Sequence, residues 1–169
     1  KEIMEYRFHT YSDLNGHPIG NLILTALLNK TGNLKKSIEY LSTLLDVKQK
    51  VLPLSEDSLT LMGETTDGTI IEGEANVTEA GKKIKRVFYK QEPNVLPEVI
   101  DAIKEADLVI ISMGSLYTSI MPHLICKEVV QAVRHTKGKV MYLCNAMTQP
   151  GETDTFTVSD HLEALEKYL

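Results

Sequence analysis

The fold of this chain is decided by the sequence LVIIS at residues 108–112, which runs directly into MGSLYTS at residues 113–119. A run of β-branched residues between Asp107 and Gly114 is typical of a strand that is covered on both faces. The hydroxyl-rich loop after it leads into a predicted helix, whose first N–H groups and positive dipole end favour an anion. Glycine lets the backbone approach a ligand closely, and ligands of open α/β sheets bind beyond the carboxyl ends of the strands. The stretch therefore predicts a phosphorylated small molecule bound at this loop.

The flanking sequence predicts alternating helices and strands. In chain order, these are a helix at residues 97–106, the strand at 108–112, a helix at about 119–136, a strand at 139–145 and a last helix from about Ser159. We expect Pro122 to lie in the first turn of the middle helix and Gly138 to end it. The α-β-α-β-α order predicts an α/β fold with parallel strands.

The first half of the chain is predicted to hold two helices and then a β-rich segment. Residues 21–29 are apolar nearly all round and predict a buried helix capped by Gly32, and residues 34–47 predict an amphipathic helix. Alternating residues predict strands at 51–54, 58–63, 69–73 and 85–89, a hairpin turn at Asp67-Gly68, and a short strand near residues 6–9. We expect one domain over residues 1–169, with residues 50–90 as a β-rich insertion or edge hairpin. Because the chain begins with Lys1 and not with Met, we interpret it as a fragment of a longer protein.

Composition narrows the class of protein. The chain has 169 residues, of which 43% are hydrophobic and 24% charged, as expected of one globular domain. A net charge of −5 argues against nucleic acid as the partner. The two cysteines have no paired spacing, no metal-ligand spacing is present, and no apolar run approaches the ~20 residues that span a bilayer. We therefore expect a cytoplasmic protein without a dedicated metal site or a membrane span.

The loop at residues 114–119 has two compatible interpretations. Its main-chain N–H groups and the hydroxyls of Ser115, Thr118 and Ser119 could bind a phosphate or pyrophosphate. Alternatively, Thr118 or Ser119 caps the following helix by satisfying its first N–H groups. The loop lacks the Gly-Lys-Ser/Thr of a Walker sequence.

Two other segments carry polar residues at positions that suit a ligand. In the turn before the first helix, His17 could act as a base or as a donor to an anion, and Asn21 offers a donor and an acceptor. Alternatively, Asn21 is an N-cap and His17 a surface residue. The polar loop at residues 145–156 leaves the carboxyl end of a predicted strand, although it could also be a solvated loop. The sequence after it predicts a capping box at Thr157 and Asp160, and His161 could reach the same cleft.

Four motifs in this order carry a resemblance to a known family. They are GHPIGNL at residues 16–22, GKKIKRVF at 81–88, GSLYTS at 114–119, and TQPGETD at 148–154 followed by SDH at 159–161. This set resembles the CofD-like superfamily, and within it the branch called gluconeogenesis factor, or YvcK-like. The other branch holds the 2-phospho-L-lactate transferases of coenzyme F420 synthesis.

The resemblance implies a cytoplasmic bacterial protein with a Rossmann-like, three-layer α/β/α fold and a mostly parallel sheet. For the YvcK-like branch it implies a link to gluconeogenic growth, cell shape and cell-wall precursor supply, and binding of a UDP-sugar. The transferase branch moves a phospholactyl group from a guanosine diphosphate donor to a deazaflavin alcohol, with Mg²⁺. The chain departs from the family in two ways: the glycine-rich nucleotide loop near the N-terminus is missing, and Ser112-Met113 stands where Gly-Pro is usual.

We therefore expect a regulatory protein that binds a nucleotide-sugar or a nucleotide diphosphate. The alternative is a phospholactyl-type transferase, in which Asp154 or His17 would orient or deprotonate the accepting hydroxyl. Mg²⁺ would enter only with a phosphate ligand, and association into a homo-oligomer stays open. The expected ligand contacts are Gly114, Ser115, Leu116, Tyr117, Thr118, Ser119, Asn145, Thr148, Thr153, Asp154, Phe156, His17, Gly20 and Asn21.

Overall fold

The structure is a computed structural model that describes residues 2–169. The chain divides into two compact units, the first ending at Glu56 and the second spanning Asp57–Leu169. Lys1 lies outside the described residues.

The first unit is helical. It contains α1 (Glu2–Glu5), α2 (Ile19–Thr31) and α3 (Leu34–Leu44). The predicted cap of α2 is confirmed, because Gly32 adopts φ 65° and donates its N–H to the Leu28 carbonyl. Asn33 caps α3 by accepting a hydrogen bond from the Lys36 N–H at 2.8 Å.

Several local expectations for the first unit are wrong. Helix α2 is not the buried helix that was predicted, since none of its residues is buried, and α3 ends at Leu44 and not at residue 47. Asn21 lies inside α2, whose N-cap is Pro18, so Asn21 is not an N-cap. The expected strand near residues 6–9 is reduced to a single bridge between Arg7 and Pro18. Residues 51–54 form no strand, because a strand needs a paired neighbour and none pairs with them among residues 2–169.

The second unit opens with an antiparallel sheet, which contains β1 (Leu61–Thr65), β2 (Ile70–Glu72) and β3 (Ile84–Tyr89) in the order β2-β1-β3. The predicted hairpin is confirmed: the Asp67 carboxylate accepts hydrogen bonds from Thr65 Oγ1 at 2.5 Å and from the Thr69 N–H at 3.1 Å. A short helix that the sequence analysis did not predict, α4 (Glu74–Glu79), connects β2 to β3.

The α/β class is confirmed by a parallel pair in the second unit. Helix α5 (Pro97–Glu105) precedes β4 (Leu108–Ile111), which pairs in parallel with β5 (Lys139–Tyr142). The resemblance implies a mostly parallel sheet, whereas three of the five strands in residues 2–169 form an antiparallel sheet. The antiparallel sheet has three strands here because its strands are joined by a hairpin and a short helix, whereas only β4 and β5 are joined by a long helical crossover.

The expectation that β4 is covered on both faces is wrong for this chain. Leu108 and Ile110 are 43% and 50% exposed, while Ile111 packs against the core. Residues two apart lie on the same face of a strand, so one face of β4 is open and the other is covered within the second unit.

The helical crossover between β4 and β5 is broken into three pieces, not one helix over residues 119–136. A π-helix (Leu116–Ile120) leads into α6 (Met121–Leu124), and α7 (Lys127–Arg134) follows after an extended residue at Cys126. Pro122 lies in the first turn of α6, as predicted. Gly138 does not end this helix; it precedes β5, where a Cβ would lie 2.2 Å from the Ala106 carbonyl oxygen.

The last helix, α8 (Val158–Glu166), begins with the predicted capping box, in which Thr157 and Asp160 each accept the other's N–H. It packs onto the core of the second unit. The buried apolar residues of that core are Leu61, Val77, Ile84, Val87, Leu116, Tyr117, Ile120, Met121, Leu124, Ala164 and Leu165.

Candidate functional site

The loop after β4 remains partly open at its start. Gly114 and Ser115 are half-buried, and Met113 is 60% exposed. Among residues 2–169, the main-chain N–H groups of Gly114 and Ser115 have no hydrogen-bond partner. A Cβ on Gly114 would lie 2.9 Å from the Ser119 Cβ, so only glycine fits this turn without a shift. The start of the loop therefore offers free main-chain donors.

The second half of the loop is buried and forms the π-helix. Both the Ser119 N–H and the Ile120 N–H reach the Ser115 carbonyl, at 2.9 and 3.0 Å. Leu116, Tyr117 and Thr118 are buried, whereas Ser119 is exposed. Neither Thr118 nor Ser119 is the N-cap, which is Ser115, and its side chain makes no capping hydrogen bond. The capping interpretation from the sequence is therefore wrong.

A buried carboxylate lies at the first turn of the π-helix. Glu152 is 3% exposed, and its Oε2 accepts a hydrogen bond from the Tyr117 N–H at 2.9 Å. Its Oε1 accepts from Thr118 Oγ1 at 2.7 Å and from Thr78 Oγ1 at 3.0 Å. The protein's own anion thus uses two donors that the sequence analysis assigned to a phosphate. Glu152 does not use the main-chain N–H groups of Gly114 and Ser115, which lie at the half-buried start of the loop.

A pair of amide side chains supports the open half of the loop. Asn145 Nδ2 donates to the Gly114 carbonyl at 3.1 Å and to Gln149 Oε1 at 3.2 Å. Gln149 Nε2 in turn donates to Ser115 Oγ at 2.9 Å. Since a main-chain carbonyl can only accept, the Gly114 contact fixes the orientation of the Asn145 amide. The position of the Gly114-Ser115 turn is therefore set by the loop that follows β5.

That second loop is internally hydrogen-bonded. Thr153 Oγ1 accepts the Gln149 N–H at 2.8 Å, and the exposed Asp154 accepts the Gly151 N–H at 2.8 Å. Gly151 adopts φ 84°, and a Cβ there would lie 2.3 Å from the Thr78 carbonyl oxygen. The GETD sequence therefore has a structural role in addition to any role toward a ligand.

Comparison with known proteins agrees with these motifs. The family model described as "2-phospho-L-lactate transferase CofD" matches residues 1–169. The chain belongs to the CofD family. It is 44% identical over 170 residues to a Bacillus subtilis protein named gluconeogenesis factor, covering 100% of the chain and 54% of that protein. It is 43% identical over 168 residues to a Thermotoga maritima protein named putative gluconeogenesis factor, with 99% and 53% covered.

Solved structures show the same fold. A crystal structure of a Bacillus halodurans protein superposes on this CofD-family chain with a TM-score of 0.91 at 42% identity, covering 99% of this chain and 54% of that one. A second crystal structure, described as a member of the upf0052 family from the same organism, gives a TM-score of 0.90. The CofD-family chain spans about half the length of the relatives it matches. Between residues 2 and 169, no helix is both long and apolar enough to cross a membrane.

The remaining expected contacts of this CofD-family chain are distributed over both units. His17, Gly20 and Asn21 belong to the first unit, where His17 and Asn21 are exposed and a Cβ on Gly20 would lie 3.1 Å from the Met4 carbonyl oxygen. In the second unit, Thr148 is exposed. Roles for these residues toward a ligand remain predictions.

The aromatic side chains near the π-helix are part of the packing. Phe156 is half-buried and makes edge-to-face contacts with Tyr117 and His161, at 6.5 and 5.3 Å between ring centres. Burial, with smaller effects of Tyr168 and Glu152, raises the pKa of Tyr117 to about 12, so its phenol is neutral at physiological pH. His161 is 3% exposed, and its Nδ1 lies 2.9 Å from the Thr157 carbonyl oxygen.

The described residues do not supply a cation site by themselves. No group of three or more His, Cys, Asp or Glu side chains within residues 2–169 is arranged to hold a metal ion. Burial raises the pKa of Cys126 to about 11, so this thiol is protonated and a poor nucleophile near pH 7.

Sequence reasoning assigned no structural role to three residues that organise the site: Glu152, Gln149 and Thr78. Glu152 and Gln149 were visible as members of a polar loop, but their partners lie 34 and more residues away in the chain. Thr78 is 74 residues from Glu152. No local sequence pattern encodes contacts of this separation. The sequence feature that distinguishes Glu152 is that it directly follows a glycine, Gly151.

Proposed function

We propose that this chain is part of a regulatory protein of the gluconeogenesis-factor type that binds a nucleotide-sugar or a nucleotide diphosphate. In this proposal, the diphosphate contacts the main-chain N–H groups of Gly114 and Ser115 and the exposed hydroxyl of Ser119. The observation that carries the proposal is the pair of free N–H donors directly after β4, at the carboxyl end of a parallel strand.

The support beneath these donors favours binding over a purely structural turn. The Asn145 and Gln149 side chains hold the Gly114 carbonyl and the Ser115 hydroxyl from the side of the loop. A turn held by fixed neighbours loses little freedom when a ligand binds, which favours affinity. Glu152 satisfies the Tyr117 N–H, so a diphosphate need not enter the buried half of the loop.

The regulatory part of the proposal follows from the relatives. Proteins more than 40% identical to this chain are named gluconeogenesis factor, and the chain matches them over nearly its full length. We extend that role to the protein of which this chain is part, together with a place in the cytoplasm and a link to cell shape and cell-wall precursor supply. The proposed ligand for that role is a UDP-sugar.

A second candidate is a phospholactyl-type transferase, favoured by the description of the family model that matches the whole chain. In this case Asp154 would orient or deprotonate the accepting hydroxyl, and the Gly114 and Ser115 donors would stabilise the diphosphate leaving group. The exposure of the Asp154 side chain is compatible with such a role.

Calorimetric titration of the full-length protein with a UDP-sugar tests the first candidate. We expect saturable binding that weakens at least tenfold in Gly114→Ala, because the added methyl group would lie 2.9 Å from the Ser119 Cβ and displace the turn. The matched control is Ser159→Ala, an exposed position in the first turn of α8. If both variants are folded, as measured by circular dichroism, and bind with equal affinity, the loop is not part of the binding site.

A turnover assay separates the two candidates. The full-length protein is incubated with a guanosine-activated phospholactate and a deazaflavin alcohol, and the phospholactylated product is measured. Turnover that is lost in Asp154→Asn would establish the transferase. UDP-sugar binding without turnover would support the regulatory protein.

A further inference from the structure

A cavity of about 260 Å³ lies in the second unit, beside the antiparallel sheet. Strand β1 contributes Leu61 to its wall, and β3 contributes Tyr89. The π-helix and α6 contribute Thr118 and Pro122, and the first residue of α4 is Glu74, which also lines it. We call this space, bounded by these five residues, the β3 cavity. Since all its walls belong to one unit, it is formed by the fold of that unit alone.

Most walls of the β3 cavity are apolar and held in place by packing. Leu61 is buried in the core cluster of the second unit, and Tyr89 packs against the same cluster. Pro122 is buried in α6, and the buried Thr118 hydroxyl donates to Glu152 at 2.7 Å. Small-molecule sites are mostly apolar and largely formed before the ligand arrives, because fixed walls lose little freedom on binding. The β3 cavity has this character.

Two polar groups of the β3 cavity have no partner within residues 2–169. The Glu74 carboxylate makes neither a hydrogen bond nor an ion pair there, and the Tyr89 phenol makes no hydrogen bond. The acidic side chains of the adjoining strands differ, because Glu64 pairs with Lys85 and Arg86 and Glu72 pairs with a lysine. Of the described residues that line the cavity, none is Lys, Arg or His. Its charge is therefore that of one uncompensated carboxylate.

The carboxylate and the phenol favour the same kind of ligand. Burial, with smaller effects of Cys126 and Glu74, raises the pKa of Tyr89 to about 12, so the phenol is neutral near pH 7. A neutral phenol can accept an N–H from a ligand, and its ring can contact a cation. A carboxylate attracts a cation and repels an anion. Both groups therefore select a ligand that carries a positively charged nitrogen.

The volume of the β3 cavity limits the size of that ligand. One water molecule takes up about 30 Å³ of the liquid, so a cavity of about 260 Å³ has room for about nine non-hydrogen atoms. A nucleotide-sugar is several times larger and does not fit. None of the three groups proposed above to contact a diphosphate lines this cavity.

We propose that the β3 cavity binds a small organic ammonium ion. The charged nitrogen pairs with the Glu74 carboxylate and donates to the Tyr89 hydroxyl, while the apolar body of the ligand packs against Leu61 and Pro122. The site is distinct from the Gly114-Ser115 turn, and the proposal does not depend on the ligand proposed for that turn.

Titration of the isotope-labelled full-length protein with benzylamine tests the proposal. Benzylamine is protonated near neutral pH and is of the size that the cavity accepts. We expect saturable shifts of the amide NMR signals of Gly73, Tyr89 and Thr118, with a dissociation constant in the millimolar range that is usual for so small a ligand. Benzyl alcohol, the uncharged analogue of the same shape, should bind about fivefold more weakly, the ratio expected for a partly exposed ion pair. Absence of saturable shifts at these residues, or equal affinity for the alcohol, would overturn the proposal.

Two variants with the same change of charge locate the contact. Glu74→Gln should weaken benzylamine binding about fivefold and leave the affinity for benzyl alcohol unchanged, because it removes only the ion pair. The matched control is Glu79→Gln, an exposed position at the other end of α4, which should change the affinity by less than about twofold because water and salt screen a charge more than one helical turn away. Since the Glu74 side chain is exposed and has no partner among the described residues, its replacement should not unfold the protein, as circular dichroism checks. Unchanged benzylamine affinity in Glu74→Gln, or an equal loss in both variants, would overturn the proposal.

Discussion

The two units of this chain differ in how much apolar surface they bury. The second unit has a continuous core that includes Leu116 and Met121, both fully buried. Within residues 2–56, by contrast, the buried side chains are those of Ser37 and Ser55, and no apolar side chain is buried. The first unit nevertheless forms two helices, and α2 ends at the Gly32 cap while α3 begins at the Asn33 cap.

This difference teaches that local signals and core formation are separate contributions to a fold. Caps and helical periodicity locate α2 and α3 in the sequence, although α2 extends two residues beyond the predicted 21–29 at each end and α3 ends at Leu44 and not at residue 47. Most of the stability of a helix in a protein, however, comes from packing of its apolar face. We therefore expect the second unit to depend on its core and the first unit to depend little on any one apolar side chain.

The largest expected effect is the loss of a core side chain. Leu116→Ala should lower the free energy of unfolding by about 3 kcal/mol, because it leaves a cavity in a fully buried site. The same change at Leu44, which is 69% exposed in the first unit, should cost less than about 0.5 kcal/mol. Urea unfolding of both variants measures the difference. Similar losses would show that the first unit has a core of its own.

The next effect concerns the buried carboxylate. Glu152→Gln should cost about 2 kcal/mol, because an amide replaces one oxygen that accepts from Tyr117, Thr118 or Thr78 and places a donor opposite a donor. The matched control is Glu39→Gln, an exposed position on α3, which should be close to neutral. Both are measured by urea unfolding. If Glu152→Gln leaves the free energy of unfolding unchanged, the π-helix does not need the negative charge of Glu152.

Helix caps should affect the two units equally. Thr157→Ala in the second unit and Asn33→Ala in the first each remove a side chain that accepts an N–H, and each should cost about 1 kcal/mol. Loss of ellipticity at 222 nm against urea concentration reports both. If only Thr157→Ala lowers the free energy of unfolding, the helix cap in the first unit contributes little to stability. The two units would then differ in their caps as well as in their cores.

Stability should also decline at high pH, and this effect arises in the second unit. Burial raises the pKa of Cys126 from 9.0 to about 11 and that of Tyr117 from 10.0 to about 12. The unfolded chain therefore releases these protons at lower pH than the folded chain, so raising the pH favours unfolding. We expect the urea midpoint to stay constant up to about pH 9 and to fall between pH 9 and 12.

A variant assigns the first part of that decline. Cys126→Ala should shift its onset from about pH 9 toward about pH 10, where the buried tyrosines begin to contribute. A midpoint that rises with pH, or an onset that is the same in the variant, would contradict this assignment.

Much of the local structure is predictable from residues close together in the chain. The hairpin at Asp67, the cap at Gly32 and the capping box at Thr157 are confirmed because each rests on hydrogen bonds that span only a few residues. Elements that need a partner from a distant part of the chain are less predictable. The expected strand at residues 51–54 has no partner strand among residues 2–169.

The same distinction between local and long-range contacts applies to the candidate site. The sequence alone predicts that a glycine and several hydroxyls follow β4, because the flanking strand and helix have characteristic residue patterns. Which donors stay free depends on long-range contacts: Glu152, 35 residues away, takes the Tyr117 N–H, while those of Gly114 and Ser115 have no partner among residues 2–169. The tertiary structure also leaves one face of β4 open. Local patterns specify which side chains point to the same side, but burial depends on what other parts of the polypeptide bring to that side.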